Sequence, residues 1–247
     1  MAGQNIVTLN QGASGSGRLV ASNQQVGFSA VEARDRKGRL DVAELQKRAL
    51  PFTPKQQQLI MSELERFHLG KDPWDIWNTP LDTYTMPLLP MLNGKEVGFK
   101  TYLEAKAGKE EYKLLVLGVG EGIWWEHFLK RHPNIEFLAV TLNKMFVAPG
   151  LQDMTVMCGA DAIEKVFPLG YFDMITTRHG IHDDEIPAIV ATNKLLKVGG
   201  EALVVGNYFH FSMPETSLPI LRACPSFEVL GERKEGASAA FHLLKRE

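Results

Sequence analysis

The segment "LLVLGVGEG", residues 114–122, is an apolar run closed by Gly118, Gly120 and Gly122. It leaves the chain few ways to continue. The unbroken run of Leu114, Leu115, Val116 and Leu117 reads as a strand buried on both faces, as in parallel sheets, because a strand with one wet face alternates. Glycines at alternate positions let the backbone turn sharply and approach a ligand closely. The following "IWWEHFLKRHP" has the character of a helix that stops near Pro133, so strand, turn and helix make the first half of a βαβ unit. The helix N-terminus offers free N–H groups and a positive dipole end, which suits an anionic or zwitterionic ligand group at the turn.

The remainder of the chain repeats the alternation. "IEFLAVTL" is a second strand, "MTVMC" a third and "YFDMITT" a fourth; "DDEIPAIVATNKLLK" is a helix with an acidic first turn, "VGG" its exit and "EALVVGNYF" a fifth strand. "FEVLGERKEGASAAFHLL" reads as two extended segments joined by a polar, Gly-containing turn, hence a terminal hairpin. The order predicts an α/β fold built on a parallel sheet over residues 101–247.

Ahead of it stand two other regions. Residues 1–35, rich in Gln, Asn, Ser and Gly, cannot bury enough apolar surface to offset the entropy of ordering, and are expected to be disordered. Uncharged leaders of this kind are similar to the N-terminal signals of some bacterial secreted effectors; an ordinary floppy terminus is the simpler reading. Residues 36–100 form an extension. "DVAELQKRAL" predicts a short amphipathic helix through Val42, Leu45 and Leu50, ended by Pro51. A second helix begins at Thr53 as N-cap with Pro54 in its first position, carries Leu59, Ile60, Leu64 and Phe67 on one side and closes at Gly70. Then repeated prolines break up a segment bearing Trp74, Trp77, Tyr84, Met86 and Leu88. These side chains either pack the extension onto the core, cap a pocket, or mediate a homodimer.

With 247 residues, 45% of them hydrophobic, the chain is long enough for one substantial core plus appendages. A net charge of -2 gives no overall pull toward DNA or an anionic membrane. No apolar run reaches the roughly 20 residues of a membrane helix. Cys158 and Cys224 lack the paired spacing of a zinc site or disulfide framework, which implies no metal and fits a cytoplasmic setting.

The glycine spacing narrows the ligand. A dinucleotide site wants G-x-G-x-x-G, but the third glycine comes one residue early and Ile123 follows it; G-x-x-x-x-G-K-[ST] is absent as well. The order of elements resembles the class I, Rossmann-like, S-adenosylmethionine-dependent methyltransferases. Gly118, Gly120 and Gly122 match the glycines of that family's first motif, "CGADA" is similar to its "GDA" segment, "FDMITTRHGIHD" to its fourth strand and loop, and "NKLLKVGGEALVV" to its "L-K-x-G-G" turn. The resemblance implies a seven-stranded sheet ending in an antiparallel hairpin, with S-adenosylmethionine as methyl donor and a small molecule or protein side chain as acceptor. It places Gly118, Gly120, Glu121, Gly122, Asp161, Ala162 and Arg178 around the donor, with Asp161 beside the adenine amino group.

Two positions depart from the pattern. Val116 stands where the first motif has an acid, and Thr141 stands where the family has the carboxylate that grips the ribose hydroxyls. A charge-assisted bond contributes about 1.5–3 kcal/mol against about 1 for a neutral one, so an uncompensated loss weakens binding by roughly tenfold. Thr141, Asn143 or Glu121 can supply a substitute. Trp124 and Trp125 either offer a ring face to the sulfonium or divide between core and surface. His179 and His182 are candidate general bases, against the simpler reading that His182 begins the next helix. The fourth-strand loop lacks "[DN]-P-P-[YFW]" and no Pro-Cys pair occurs, which moves the acceptor away from planar amino nitrogens and cytosine carbons toward other O or N atoms. Asn207 and Tyr208 either line an acceptor pocket or begin a turn. The opposing function class is a catalytically degenerate methyltransferase fold serving as a binding or scaffold protein.

Overall fold

In the computed structural model, which describes residues 38–68, 90–93, 95–108, 110–178, 185–207, 224–235 and 238–247, Asp41 opens the first helix by accepting the N–H groups of Ala43 and Glu44. That helix, α1 (Val42–Arg48), stops two residues short of Leu50 as Ala49 turns extended ahead of Pro51. A capping box opens α2 (Pro54–His68): Thr53 Oγ1 accepts the Gln56 N–H while Gln56 Oε1 accepts the Thr53 N–H, at 3.3 and 3.0 Å. The leader, Gly70 and the Trp74 to Leu88 segment lie outside the described residues.

A small hairpin follows, β1 (Met91–Leu92) with β2 (Lys95–Glu96), where the sequence had suggested only proline-broken chain. Asn93 supplies its left-handed residue, φ 51°. Next comes α3 (Phe99–Ala107), which buries Phe99, Tyr102, Leu103 and Ala107. The alternating unit then runs β3 (Tyr112–Leu117), α4 (Ile123–Arg131), β4 (Ile135–Thr141), α5 (Pro149–Gln152), β5 (Thr155–Met157), α6 (Ile163–Val166), β6 (Phe172–Arg178), α7 (Glu185–Leu195), β7 (Leu196–Asn207), β8 (Phe227–Glu235) and β9 (Ser238–Lys245). The helix of α7 ends two residues earlier than its sequence suggests. The carbonyls of Lys194 and Leu195 are taken by the Gly170 and Tyr171 N–H groups, and Leu196 pairs with Phe172.

The seven-stranded sheet has the order β5-β4-β3-β6-β7-β9-β8. Strands β5 to β7 are parallel, β9 runs antiparallel between β7 and β8, and the expected terminal hairpin is therefore present. On one face Leu115, Leu117, Leu138, Val140, Ile175, Ala202 and Val204 form a cluster with Leu45 of α1, Ile163 and Val166 of α6 and Ala188 and Leu195 of α7. On the other, Leu114, Val116, Phe137, Ala139, Met174, Leu203 and Val205 meet α3 and the aromatic face of α4. Helices on both faces explain why the parallel strands are largely apolar, Leu114 to Leu117 of β3 without a break. No helix among the described residues is long and apolar enough to cross a membrane.

Toward the N-terminal ends of the parallel strands, Glu201 is buried with polar company. Tyr102 donates its hydroxyl to the carboxylate, His242 Nε2 lies 2.7 Å away and Lys106 Nζ 2.5 Å. Burial opposes the ionised form, but the hydrogen bonds from His242, Lys106 and Tyr102 and the charge of Lys106 outweigh it and hold the carboxyl down to about 2. Burial, and then the same carboxylate, push the Tyr102 hydroxyl well above its ordinary range.

Because the folded value lies below the ordinary 4.5, the Glu201 contribution to stability is complete above about pH 4.5 and is lost as pH falls toward 2. Thermal melting across that window is expected to show a steeper loss for the native chain than for Glu201→Gln; equal slopes would refute the assignment.

Candidate functional site

The order of strands reverses at β3, whose neighbours β4 and β6 continue in opposite directions. In open parallel sheets the crevice outside the strand C-termini at such a reversal is where ligands bind. The glycine turn lies there. Gly118, Gly120 and Gly122 all adopt left-handed backbone, with φ of 70°, 60° and 73°, a conformation that costs other residues about 1–2 kcal/mol each. The turn is sewn down at both ends. The N–H groups of Gly118 and Val119 share the Val140 carbonyl at 2.9 and 3.3 Å, and the Glu121 carbonyl accepts from Ala148 at 2.7 Å. A Cβ on Gly122 would stand 2.5 Å from Leu151 Cδ1, so this glycine is required by close packing as well as by φ. Gly122 also caps α4 without any side chain of its own over the first N–H groups.

Val116 is fully buried between Ala139 and Thr176, its register partners on β4 and β6. Thr176 Oγ1 is buried and has no hydrogen-bond partner among the described residues. Thr141 ends β4 beside the turn, where its hydroxyl bridges to the Asn143 backbone, donating to the carbonyl and accepting from the N–H, each at 3.3 Å. Asn143 Oδ1 in turn accepts the Met145 N–H at 3.0 Å. Both neutral substitutes for the ribose acid are thus also holding the loop that follows β4. Glu121 is half-buried.

Past the end of β5, Asp161 lies in the 3-10 turn Ala160–Ala162, and the Ala162 N–H is used by the Gly159 carbonyl. Asp161 Oδ1 accepts from Gln56 Nε2 at 2.9 Å, a contact from α2 spanning 105 positions. The capping pattern T-P-K-Q in the sequence signals the local role of Gln56 and gives no sign of this long-range one. Burial and the nearby Asp161 charge push the Cys158 thiol up to about 12, consistent with a buried, unreactive sulfur. Glycine turn, Thr141 and Asp161 therefore gather at the C-terminal ends of three adjacent strands.

The tryptophans do not divide between core and surface. Trp124 and Trp125 are 6% and 2% exposed; Trp124 stacks on Phe128 at 5.0 Å, and Trp125 packs edge-on against Phe99 and tilted against Phe137. Both rings belong to the α4 core, because α4 lies flat on the sheet and its first turn already faces inward. Arg178 and Asn207 end β6 and β7 at the same edge of the sheet as the turn; their side chains, like His179, His182 and Tyr208, lie outside what is described.

No protein-family model and no curated protein matches the sequence. Solved structures match its fold. The 1,6-didemethyltoxoflavin-N1-methyltransferase of Burkholderia thailandensis, solved with its substrate and S-adenosylhomocysteine, aligns with TM-score 0.50 and 16% identity over 81% of this chain and 93% of its own. The chain has the class I methyltransferase fold. A TehB-like methyltransferase from Corynebacterium glutamicum aligns with TM-score 0.47 and 12% identity over 78% of this chain and 98% of that one. A putative rRNA-methylase from Clostridium thermocellum gives TM-score 0.48 and 17% identity over 60% and 93%.

The glycine turn offers bare backbone to a ligand and Asp161 an acidic acceptor, while Thr141 between them is uncharged.

Gly122→Ala is expected to destabilise the chain by more than Gly170→Ala does. Gly170 has φ 62° with nothing within 4 Å of its added Cβ, so it reports backbone strain alone, about 1–2 kcal/mol. The contact with Leu151 adds about 1–3 kcal/mol at Gly122. Chemical denaturation of both variants measures the difference.

Proposed function

We propose that this chain binds S-adenosylmethionine and transfers its methyl group to an oxygen or nitrogen of a small molecule or protein side chain. The observation that carries the reading is the convergence of the left-handed glycine turn after β3 with Asp161 after β5, on either side of Thr141, at the strand reversal. In this reading Gly118, Gly120, Glu121 and Gly122 receive the methionyl end and Arg178 borders it. Thr141 and Asn143 face the ribose, and Asp161 and Ala162 the adenine. The donor supplies an electrophilic methyl carbon on a sulfonium; the work left to the protein is chiefly alignment, which can contribute several kcal/mol without a strong acid or base. His179 and His182, which follow β6 in the sequence, are the groups to take the acceptor's proton where the acceptor needs one deprotonated.

The opposing reading, a binding or scaffold protein with a degenerate site, rests on Val116 in the sheet core and the uncharged Thr141. Ligand binding tests the donor site, and transfer of labelled methyl groups to an acceptor, stopped by Asp161→Ala, separates the two readings. Under the enzyme reading, calorimetric titration with S-adenosylhomocysteine gives measurable heat, Asp161→Ala weakens it by at least about tenfold, and Thr141→Asp strengthens it by about tenfold. An Asp at 141 keeps a side-chain oxygen within reach of the Asn143 N–H and adds the missing charge. The absence of both heat and a thermal shift at millimolar ligand would overturn the proposal.

A further inference from the structure

Gln56 is one of few polar side chains buried in the described chain, 7% exposed on a helix whose adjacent Pro54, Lys55, Gln57 and Gln58 are exposed. Its amide is used at both ends. Oε1 accepts the Thr53 N–H and completes the capping box, while Nε2 donates to Asp161 Oδ1. A capping box needs only the first of these bonds. The second is laid directly over a backbone position kept bare: a Cβ on Gly159 would lie 2.2 Å from Gln56 Nε2 and 2.3 Å from Asp161 Oδ1. A side chain at 159, where the backbone angles are ordinary (φ -72°), would have to displace the amide and carboxylate above it.

The bond pins one oxygen of the carboxylate and leaves the other, Oδ2, without a hydrogen bond among the described residues. A half-buried carboxylate held by one oxygen and open at the other is a directed acceptor for an N–H group. Resting on the donor-binding reading above, we propose that Gln56 is a positioning residue that aims Asp161 at the 6-amino group of adenine, so that α2, from the N-terminal extension, sets the base selectivity of the site. A 6-oxo purine presents an acceptor to the same oxygen and is rejected, as sites built around one hydrogen-bond polarity reject the opposite one.

The test is calorimetry on the full chain with S-adenosylhomocysteine and its deaminated counterpart, S-inosylhomocysteine. The native chain is expected to prefer the adenosyl compound by about tenfold or more. Gln56→Leu removes the donor and the cap, whereas Gln56→Glu keeps an acceptor for the Thr53 N–H and replaces the donor by a carboxylate oxygen that repels Asp161. Both variants are expected to lose the preference, by a weaker adenosyl affinity, while inosyl binding holds within about threefold; that retained binding also reports an intact site. In the Gln56→Leu, Asp161→Ala double variant the loss is no greater than in Asp161→Ala alone. Retention of the preference by Gln56→Glu would make Gln56 a cap only and overturn the inference, as would tighter binding of both compounds, which would make it a competitor for the carboxylate. A native chain that binds both compounds equally would refute the role of Gln56 and leave donor binding standing. A native chain that binds neither would refute donor binding itself, and this role with it.

Discussion

Three left-handed residues within five positions govern how the chain leaves β3. Ordinary side chains at Gly118, Gly120 and Gly122 would each resist the turn. With the turn made, α4 must start at once and fold back over the sheet, because the Gly122 carbonyl already accepts the Glu126 N–H. That return lays Trp124, Trp125 and Phe128 on the face of Leu114 and Val116. The neighbouring loops are tied to the same place. Val140 receives the first two N–H groups of the turn and Ala148 donates to its Glu121 carbonyl, so the loop after β4 is anchored to the loop after β3. The site and the core on that face depend on one local backbone choice.

Val116 shows how packing and chemistry compete at this position. A carboxylate there would have to be buried between Ala139 and Thr176, costing several kcal/mol unless it found donors. Valine removes that demand, and the Thr176 hydroxyl beside it has no hydrogen-bond partner among the described residues, a penalty of about 1–3 kcal/mol. The chain therefore carries the smaller polar penalty of the two. At Thr141 the balance is different. Its hydroxyl remains polar and at the site, but it is also a turn-forming group for Asn143, so any ligand hydroxyl there shares an oxygen with the backbone.

The parallel strands were legible in the sequence because burial on both faces makes them largely apolar, and the terminal hairpin because its strands flank a polar turn. The Thr53 cap was legible from Thr-Pro alone. The hairpin at Met91 to Glu96 was obscured by surrounding prolines, although Asn93-Gly94 between its strands is a strong short-range signal. The helix from Phe99 carries buried residues at positions 99, 102, 103 and 107, a helical spacing hidden by its brevity and by its place at a presumed domain border. At the site the glycines and Asp161 were found by pattern. Gln56 was not, because its partner is fixed only by how α2 settles on the folded sheet; nor was the burial of both tryptophans, since adjacent residues on a helix point about 100° apart and ordinarily one stays near the surface.

The N-terminal extension is held to the core in two unlike ways, and the difference bears on the site. α1 is anchored by apolar burial, with Leu45 wholly enclosed and Leu40 nearly so, and its Gln46 amide pairs both backbone groups of Met157 on the edge strand β5, at 2.8 and 3.1 Å. That pairing closes an open sheet edge as another strand would. α2 has no comparable anchor among its described side chains: Leu59, Ile60 and Leu64 are only half-buried, and Gln56 alone is fully enclosed. A single amide-to-carboxylate bond contributes about 1.5–3 kcal/mol, less than the burial of Leu40 and Leu45 together. Elements with few buried apolar contacts open at free energies below that of global unfolding. The orientation of Asp161 is coupled through Gln56 to α2, so whatever stabilises α2 also orders the carboxylate it bonds.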